Sequence, residues 1–417
     1  MTDSASTPKP ATGRSVLLVV FITVFLDLLG FGLLIPISAF YAESFGARPA
    51  LITVLGACYS LMQFLFMPFW GRVSDRIGRR PVILISVAVS CVGFLAFGLA
   101  SSLWMLFAAR LLSGFGNANI AAAQAVIADT TTPENRAKGM GLIGAAFGLG
   151  FIIGPAIGGT LGQISLNTPA FVSAGLAAVN WVLAWFLLPE TRKAGSAAHH
   201  THLSFAGLRE VRGQSNVGRL LTLSLLITGA FALMEQVLGL YFERVWVPAA
   251  ATPALVLAGH KHAAMLTTYA MVAVGVTMTI VQGGLIGPLA RRFGEDRLVR
   301  AGTVLLVAGL IGVPLAGEIG LFGLEFPVMV LLALGSGMTT PSLTSLLSRS
   351  ADADHQGSVL GMGQSLSSLG RVLGPMTAGT LFELGIRLPF LIGAALMAVA
   401  VWLAWGLHDS GRFRSST

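Results

Sequence analysis

The sequence predicts an all-α membrane protein: twelve transmembrane helices in two pseudo-symmetric six-helix bundles. Three observations predict it. Apolar residues make up 54% of the 417 residues and charged residues only 11%, against roughly 25% charged in a soluble domain. The apolar residues gather into runs of about 20, the length an α-helix needs to cross a bilayer. The second half of the chain also repeats the first. With a mean hydropathy of +0.80, a soluble enzyme, a disordered chain and a coiled coil are all poor readings.

The first six runs cover 16–41, 50–70, 82–100, 103–128, 138–162 and 168–188. The second six cover 219–243, 263–287, 298–316, 326–348, 357–382 and 388–407. They lack the alternation of barrel strands, so they read as helices. Several exceed the minimum length, which implies tilt. The longest hydrophilic connection lies at the midpoint. The chain thus divides into a tail (1–15), a first bundle (16–189), a linker (190–218), a second bundle (219–407) and a second tail (408–417).

Basic residues set the orientation, because cytoplasmic loops carry the excess of Lys and Arg. With both termini in the cytoplasm, 20 of the 26 basic residues lie inside. Arg48, Arg244, Lys261 and Arg387 lie outside, and Arg110 and Arg371 fall within spans. The short loops fit a bacterial inner membrane. The net charge of +8 does not imply nucleic acid, since the basic residues form no amphipathic face. No cleavable signal peptide is evident. Cys58 and Cys91 sit in apolar runs and imply neither disulfide nor metal. His199, His200 and His202 of the linker read as either a metal-binding tract or a solvated segment; no metal or cofactor is expected.

The repeat appears when Asp129–Leu161 is laid on Arg349–Leu381 without a gap. Gly141, Leu149, Gly150, Gly154 and Pro155 fall on Gly361, Leu369, Gly370, Gly374 and Pro375. Gly159 falls on Gly379, and Gly71 and Gly78 echo in Gly287 and Gly294. Parallel six-helix repeats are a transporter architecture, with substrate bound between them near the midplane.

Three motifs need physical readings. In Gly71-Arg72-Val73-Ser74-Asp75-Arg76-Ile77-Gly78-Arg79-Arg80, the glycines permit a tight turn, Asp75 pairs locally, and Arg79 and Arg80 would meet anionic headgroups. In Gly150-Phe-Ile-Ile-Gly154-Pro155-Ala-Ile-Gly158-Gly159, glycines every four residues make a smooth stripe for close helix packing, and Pro155 favours a bend. The third is Arg110-Leu-Leu-Ser-Gly114-Phe-Gly116, in the fourth run.

Together these motifs resemble the major facilitator superfamily, and among its members the twelve-span drug:proton antiporters of the tetracycline-efflux type. The resemblance covers residues 15–407. The first motif matches the superfamily's loop 2–3 signature. The Arg110 motif carries Ser113 where Gln is common, and the span-five motif matches the antiporter signature. The resemblance implies the major facilitator fold and proton-driven export of amphipathic small molecules by a monomer. It also implies that Asp75, joined by Asp129, gates by holding the halves together on the inner side.

Ionisable residues inside spans are costly and mark function. Here they are Asp27, Arg110, Glu235 and Arg371. By resemblance, Asp27 and Arg110 form a coupled pair; the alternative is a static salt bridge. Glu235 has no basic neighbour in sequence and suits a proton carrier or an acid that attracts a cationic drug. Arg371 needs a partner, and Glu235 is the deep acid of the same half. Gln63, Asn117, Asn119, Gln124, Gln236, Tyr269, Gln282 and Gln364 are candidate cavity residues. Spans one, four, seven and ten line the cavity in relatives, which favours Asn117, Gln124 and Gln236.

The runner-up is an uptake or metabolite carrier on the same fold. No Gly-rich phosphate loop ending in Lys-Ser/Thr marks an ATPase. No His falls within the predicted spans and no nucleophile–base pair appears, so an intramembrane enzyme is the poorest reading.

Overall fold

A computed structural model describes residues 13–131, 133–192, 215–248, 252–350 and 356–407. The linker histidines His199, His200 and His202 lie outside them. The described residues build twelve helical rods. The first six are α1 (Gly13–Glu43), α2 (Pro49–Ile77), α3 (Arg79–Gly98), α4 (Leu103–Thr130), α5 (Pro133–Gly162) and α6 (Thr168–Leu187). Then follow α7 (Ser215–Trp246) and α8, which runs Pro253–Ile280, through a π turn at Val281–Leu285, into Ile286–Phe293. The last four are α9 (Glu295–Ile319), α10 (Glu325–Arg349), α11 (Gln356–Leu384) and α12 (Leu388–Trp405).

Local chemistry sets the ends. Proline occupies one of the first two positions of α2, α6, α8 and α12, where its missing N–H costs nothing. Ser102 and Thr252 cap α4 and α8 by accepting from Met105 N and Leu255 N, as N-cap hydroxyls do. Among the described residues, ten helices are long and apolar enough to cross a membrane. The stretch Gly148–Gly162 of α5 is a shorter apolar helix, and α11 carries Arg371 and many Gly and Ser.

The largest apolar side chains on the surface include Trp104, Phe186, Trp402 and Trp405. Phe186, Trp402 and Trp405 stand at the ends of α6 and α12, where amphipathic rings meet the membrane interface.

Within each half the first helix packs on the fifth: α1 on α5, and α7 on α11. The halves meet through α2 against α11 and α5 against α8. The two ends of the molecule differ. At the end bearing residues 44–48, one apolar core runs unbroken from Phe40, Phe94 and Phe97 to Tyr241, Phe242 and Phe390. At the opposite, Arg-rich end, the first half has a separate core around Val20, Val82, Val126 and Leu188. Among the described residues, the two halves thus share one apolar core at the first end, and the first half keeps a core of its own at the second.

Candidate functional site

The end sealed by the shared core brings together residues from distant parts of the sequence. Glu43 of α1 accepts from Arg244 Nη2 of α7 at 3.2 Å. His260 of α8 lies 3.2 Å from Glu243 and 3.8 Å from Glu43, with its ring stacked on Phe40. Lys261 Nζ donates to the Gln163 carbonyl at 2.7 Å, and Gln163 Nε2 donates back to the Lys261 carbonyl at 2.7 Å. Ala50 N donates to Glu383 at 3.1 Å. Every one of these bonds except that of Glu243 joins one half to the other. Sequence reading missed the cluster, because it began span eight at 263 and left His260 outside; the helix starts at Pro253 and buries His260. Among the described residues, Glu43, Glu243 and His260 also place metal-ligating atoms within 4.8 Å of one another. Their mutual contacts already give them a role as a brace.

Of the four charges within the helices, Asp27 and Arg371 stand near the midpoints of α1 and α11, and Arg110 lies nearer the sealed end, in the first third of α4. Asp27 is 6% exposed. Its two oxygens accept from Asn119 Nδ2 at 2.9 Å and Asn180 Nδ2 at 3.0 Å, which satisfies a buried carboxylate without a countercharge. The expected Asp27–Arg110 ion pair is absent. Arg110 instead lies over the Phe97 ring at 4.7 Å and the Tyr59 ring at 5.9 Å. The physical reason is local: two amide donors from α4 and α6 already saturate Asp27, and aromatic faces attract the guanidinium. Asn180 was not foreseen, although a lone Asn in the apolar run 168–188 is a visible signal.

Glu235 and Arg371 form no ion pair within 4 Å; among the described residues, Arg371 Nη2 reaches only Ser368 Oγ, at 3.4 Å. Tyr59 of α2 sits between the halves, within the electrostatic reach of Arg110, Asp27 and Arg371. It stacks on Phe31 at 4.5 Å and accepts from Gln63 Nε2 at 3.3 Å. Of the three favoured cavity residues, Asn117 is buried and Gln124 exposed. Gln236 presses on α2: a Cβ at Gly56 would lie 2.1 Å from its Oε1. Gln282, Gln364 and Tyr269 are exposed, and Tyr269 lines a shallow apolar groove with Val272 and Phe326 on α8 and α10.

At the Arg-rich end the signature read as a loop is almost wholly helical. α2 continues to Ile77 and α3 begins at Arg79. The break is Gly78 alone, with φ +107°, a conformation that favours glycine. A Cβ there would also strike the Glu190 carboxylate at 2.3 Å. Gly71 lies inside α2 with only ordinary contacts, so it makes no turn. Arg79 bonds Asp75, donates to Ser74 Oγ at 2.8 Å, and reaches Asp129 at 3.2 Å. Arg80 donates to the Trp185 carbonyl at 2.6 Å. Both arginines therefore engage the protein, while Arg76 is exposed.

Among the described residues, the partners of Asp75 and Asp129 are Arg79 and Thr191, so the cluster braces α2, α3 and α4 against the start of the linker. Sequence reading missed Glu190, which accepts the backbone N–H groups of Arg79, Arg80, Thr191 and Arg192. Burial raises its carboxyl, but the N–H donors of Arg192, Arg79, Arg80 and Thr191 outweigh that and hold it below its ordinary 4.5. A depressed carboxylate stabilises the fold above its unfolded pKa and loses that contribution as pH falls through the folded value. We therefore expect wild-type protein in detergent to lose melting temperature below pH 4.5 more steeply than Glu190→Gln. Parallel curves would dismiss this role for Glu190.

The glycine stripe of α5 has one job repeated in both halves. A Cβ at Gly150 would meet Leu28 at 2.9 Å, at Gly154 the Gly32 Cα at 2.7 Å, and at Gly158 the Leu33 carbonyl at 2.0 Å, all on α1. Gly370 and Gly374 repeat this against Gly229 on α7. Gly159 and Gly379 instead face the other half, meeting Thr268 on α8 and Pro49 on α2. Pro155 sits inside α5, as Pro375 does inside α11.

Comparison with known proteins accords with this architecture. A family model described as the Major Facilitator Superfamily matches residues 20–375 and 245–413. The chain is 33% identical to tetracycline resistance protein, class C, of Escherichia coli, over 93% of this chain and 96% of that one. It is 28% identical to multidrug resistance protein 2 of Bacillus subtilis (strain 168), over 94% of each. In structure it is similar to the human organic anion transporter MFSD10, with a TM-score of 0.69, 23% identity and coverage of 95% and 100%. It is also similar to a bacterial homolog of the lysosomal transporter Spinster in an inward-facing, occupied conformation. There the TM-score is 0.73, with 13% identity and coverage of 96% and 97%.

Proposed function

The chain belongs to the Major Facilitator Superfamily, and on that premise we propose that it is a proton-coupled antiporter exporting amphipathic small molecules, drugs of the tetracycline type among them, by alternating access. It works as a monomer in the cytoplasmic membrane, with both termini in the cytoplasm, as its Lys and Arg distribution favours. Its halves, 16–189 and 219–407, rock as units joined by the linker 190–218. The Arg-rich end then faces the cytoplasm, and the sealed end faces outward.

The observation that carries this reading is a pair of acids at mid-membrane, Asp27 in α1 and Glu235 in α7, the first helix of each half. In an apolar setting a carboxyl gains or loses its proton according to what stands beside it. Asp27, Arg110, Glu235 and Arg371 therefore couple protons to rocking. When Glu235 takes a proton, a negative charge is lost from the half that carries Arg371, so protonation and substrate favour different arrangements of the centre. Only such differential affinity can shift the balance between the two conformations. Asn117, Gln124 and Gln236 line the substrate path. Gly71, Asp75, Arg76, Gly78, Arg79, Arg80 and Asp129 form the cytoplasmic gate, and Gly150, Gly154, Pro155, Gly158 and Gly159 hold α5 tight on its neighbours as the halves move.

Inside-out vesicles with an imposed proton gradient test the reading. Adding an exported compound should release protons from the lumen, and Asp27→Asn or Glu235→Gln should abolish that release. No release with any of a panel of tetracyclines, lipophilic cations and neutral drugs, together with metabolite uptake into right-side-out vesicles, would replace export with an uptake carrier.

A further inference from the structure

Among the described residues, two guanidinium groups inside the bundle, those of Arg110 and Arg371, have no carboxylate within ion-pair distance. Arg110 is 4% exposed; its Nε has no partner and its surroundings are the Phe97 and Tyr59 rings. Arg371 bonds only Ser368 Oγ. A guanidinium carries five N–H donors in a planar fork, and a buried cation without a bonded anion is strongly unfavourable. The two local acids do not relieve this. Asp27 is turned to Asn119 and Asn180, and Glu235 stands beyond ion-pair distance of Arg371.

A third donor lies in the same neighbourhood. Asn117 is 4% exposed and its Nδ2 has no partner. Gln63 links it to the aromatic hub, donating to both the Asn117 carbonyl and the Tyr59 hydroxyl. Beside these donors, Phe31 and Tyr59 stack on one another at 4.5 Å and supply flat apolar faces.

We propose that the central site takes the anionic end of a flat aromatic molecule, a carboxylate held by Arg371 with its ring against Phe31, which stacks on Tyr59. This rests on the export reading and gives its substrate a charge: the polar end is an anion, where an acid-lined cavity would have selected a cation. Arg fits the role because its fork matches a carboxylate with two parallel hydrogen bonds.

The test uses three probes of nearly one shape: naphthalene-2-carboxylate, its methyl ester and naphthalen-2-ylmethylammonium. Their binding to the purified full-length protein is measured by calorimetry at constant pH. The carboxylate should bind at least about tenfold more tightly than the other two, the loss expected for one hydrogen bond to a charged group. Arg371→Gln should remove that preference while leaving ester binding unchanged. Arg371→Lys, which keeps the charge without the fork, should restore part of it. Equal or tighter binding of the ammonium, an unchanged carboxylate-to-ester ratio in Arg371→Gln, or no binding of any probe would each overturn the proposal. The same probes added to inside-out vesicles separate the two readings. Proton release evoked by the ammonium alone leaves export standing without the anion site. Carboxylate binding without proton movement leaves the site standing without coupled export.

Discussion

Alanine in place of Gly379 is expected to hold the bundle open at its sealed end and to cut transport by more than about tenfold, the effect of 1–3 kcal/mol of overpacking. A Cβ at this position would lie 2.2 Å from the Pro49 carbonyl oxygen, 2.4 Å from Thr53 Oγ1 and 2.6 Å from the Ala50 Cα. Two of those three atoms are backbone of α2, in the other half, and cannot rotate away. The clash exists only while α2 and α11 touch. The substitution therefore penalises the sealed conformation and leaves the open one alone, which is how a population shifts. The check is thiol labelling of Phe40→Cys, with Cys58 and Cys91 replaced by serine. Phe40 is fully buried at this end, so labelling should be slow in the parent and fast with Gly379→Ala. Slow labelling in both, with transport intact, would show that the α2–α11 contact is no gate.

Alanine at Gly158 is expected to do something different. There a Cβ would lie 2.0 Å from the Leu33 carbonyl oxygen and 2.7 Å from its carbonyl carbon. Both helices, α5 and α1, belong to one half, so rocking does not separate them and the strain persists in every conformation. The expected result is a loss of about 1–3 kcal/mol or more of stability, read as a lower melting temperature and lower yield in the membrane. Gly175→Ala, where nothing lies within 4 Å, is the control and should change neither. An unperturbed melting temperature for Gly158→Ala would mean that α1 and α5 can part without cost.

These two glycines mark the limit of what spacing alone reveals. The four-residue stripe Gly150–Gly154–Gly158 is legible as a smooth helix face, and its match with Gly370 and Gly374 predicts that both halves use it alike. Spacing cannot say that this face meets the first helix of its own half. Nor can it say that Gly159 and Gly379, one step off the stripe, meet the other half. Which face meets which neighbour depends on how twelve rods are turned about their axes, a property of packing and not of period.

The charges divide the same way. That Asp27, Arg110, Glu235 and Arg371 lie in the membrane follows from their positions in apolar runs, because hydrophobic length dictates depth. Their partners do not follow. Asp27 took two amides and not an arginine, since Asn119 and Asn180 come from helices whose approach no linear pattern encodes. The Arg-rich motif predicted a basic turn. Two of its four arginines, Arg79 and Arg80, proved to bond Asp75, Asp129 and the Trp185 carbonyl, and its turn shrank to Gly78 with Glu190 filling the space beside it. His260 escaped notice because a helix started by Pro253 reaches ten residues beyond its apolar run.

The sequence by itself determined the class of protein, the twelve rods, the twofold repeat and the membrane depth of each charge. These are set by composition, hydrophobic length and period, which are local properties of the chain. Only the tertiary structure decided which end is sealed, which acids are satisfied and which guanidinium groups still lack a carboxylate. Those answers depend on atoms from helices far apart in sequence meeting within a few ångströms, and no one-dimensional pattern specifies that meeting.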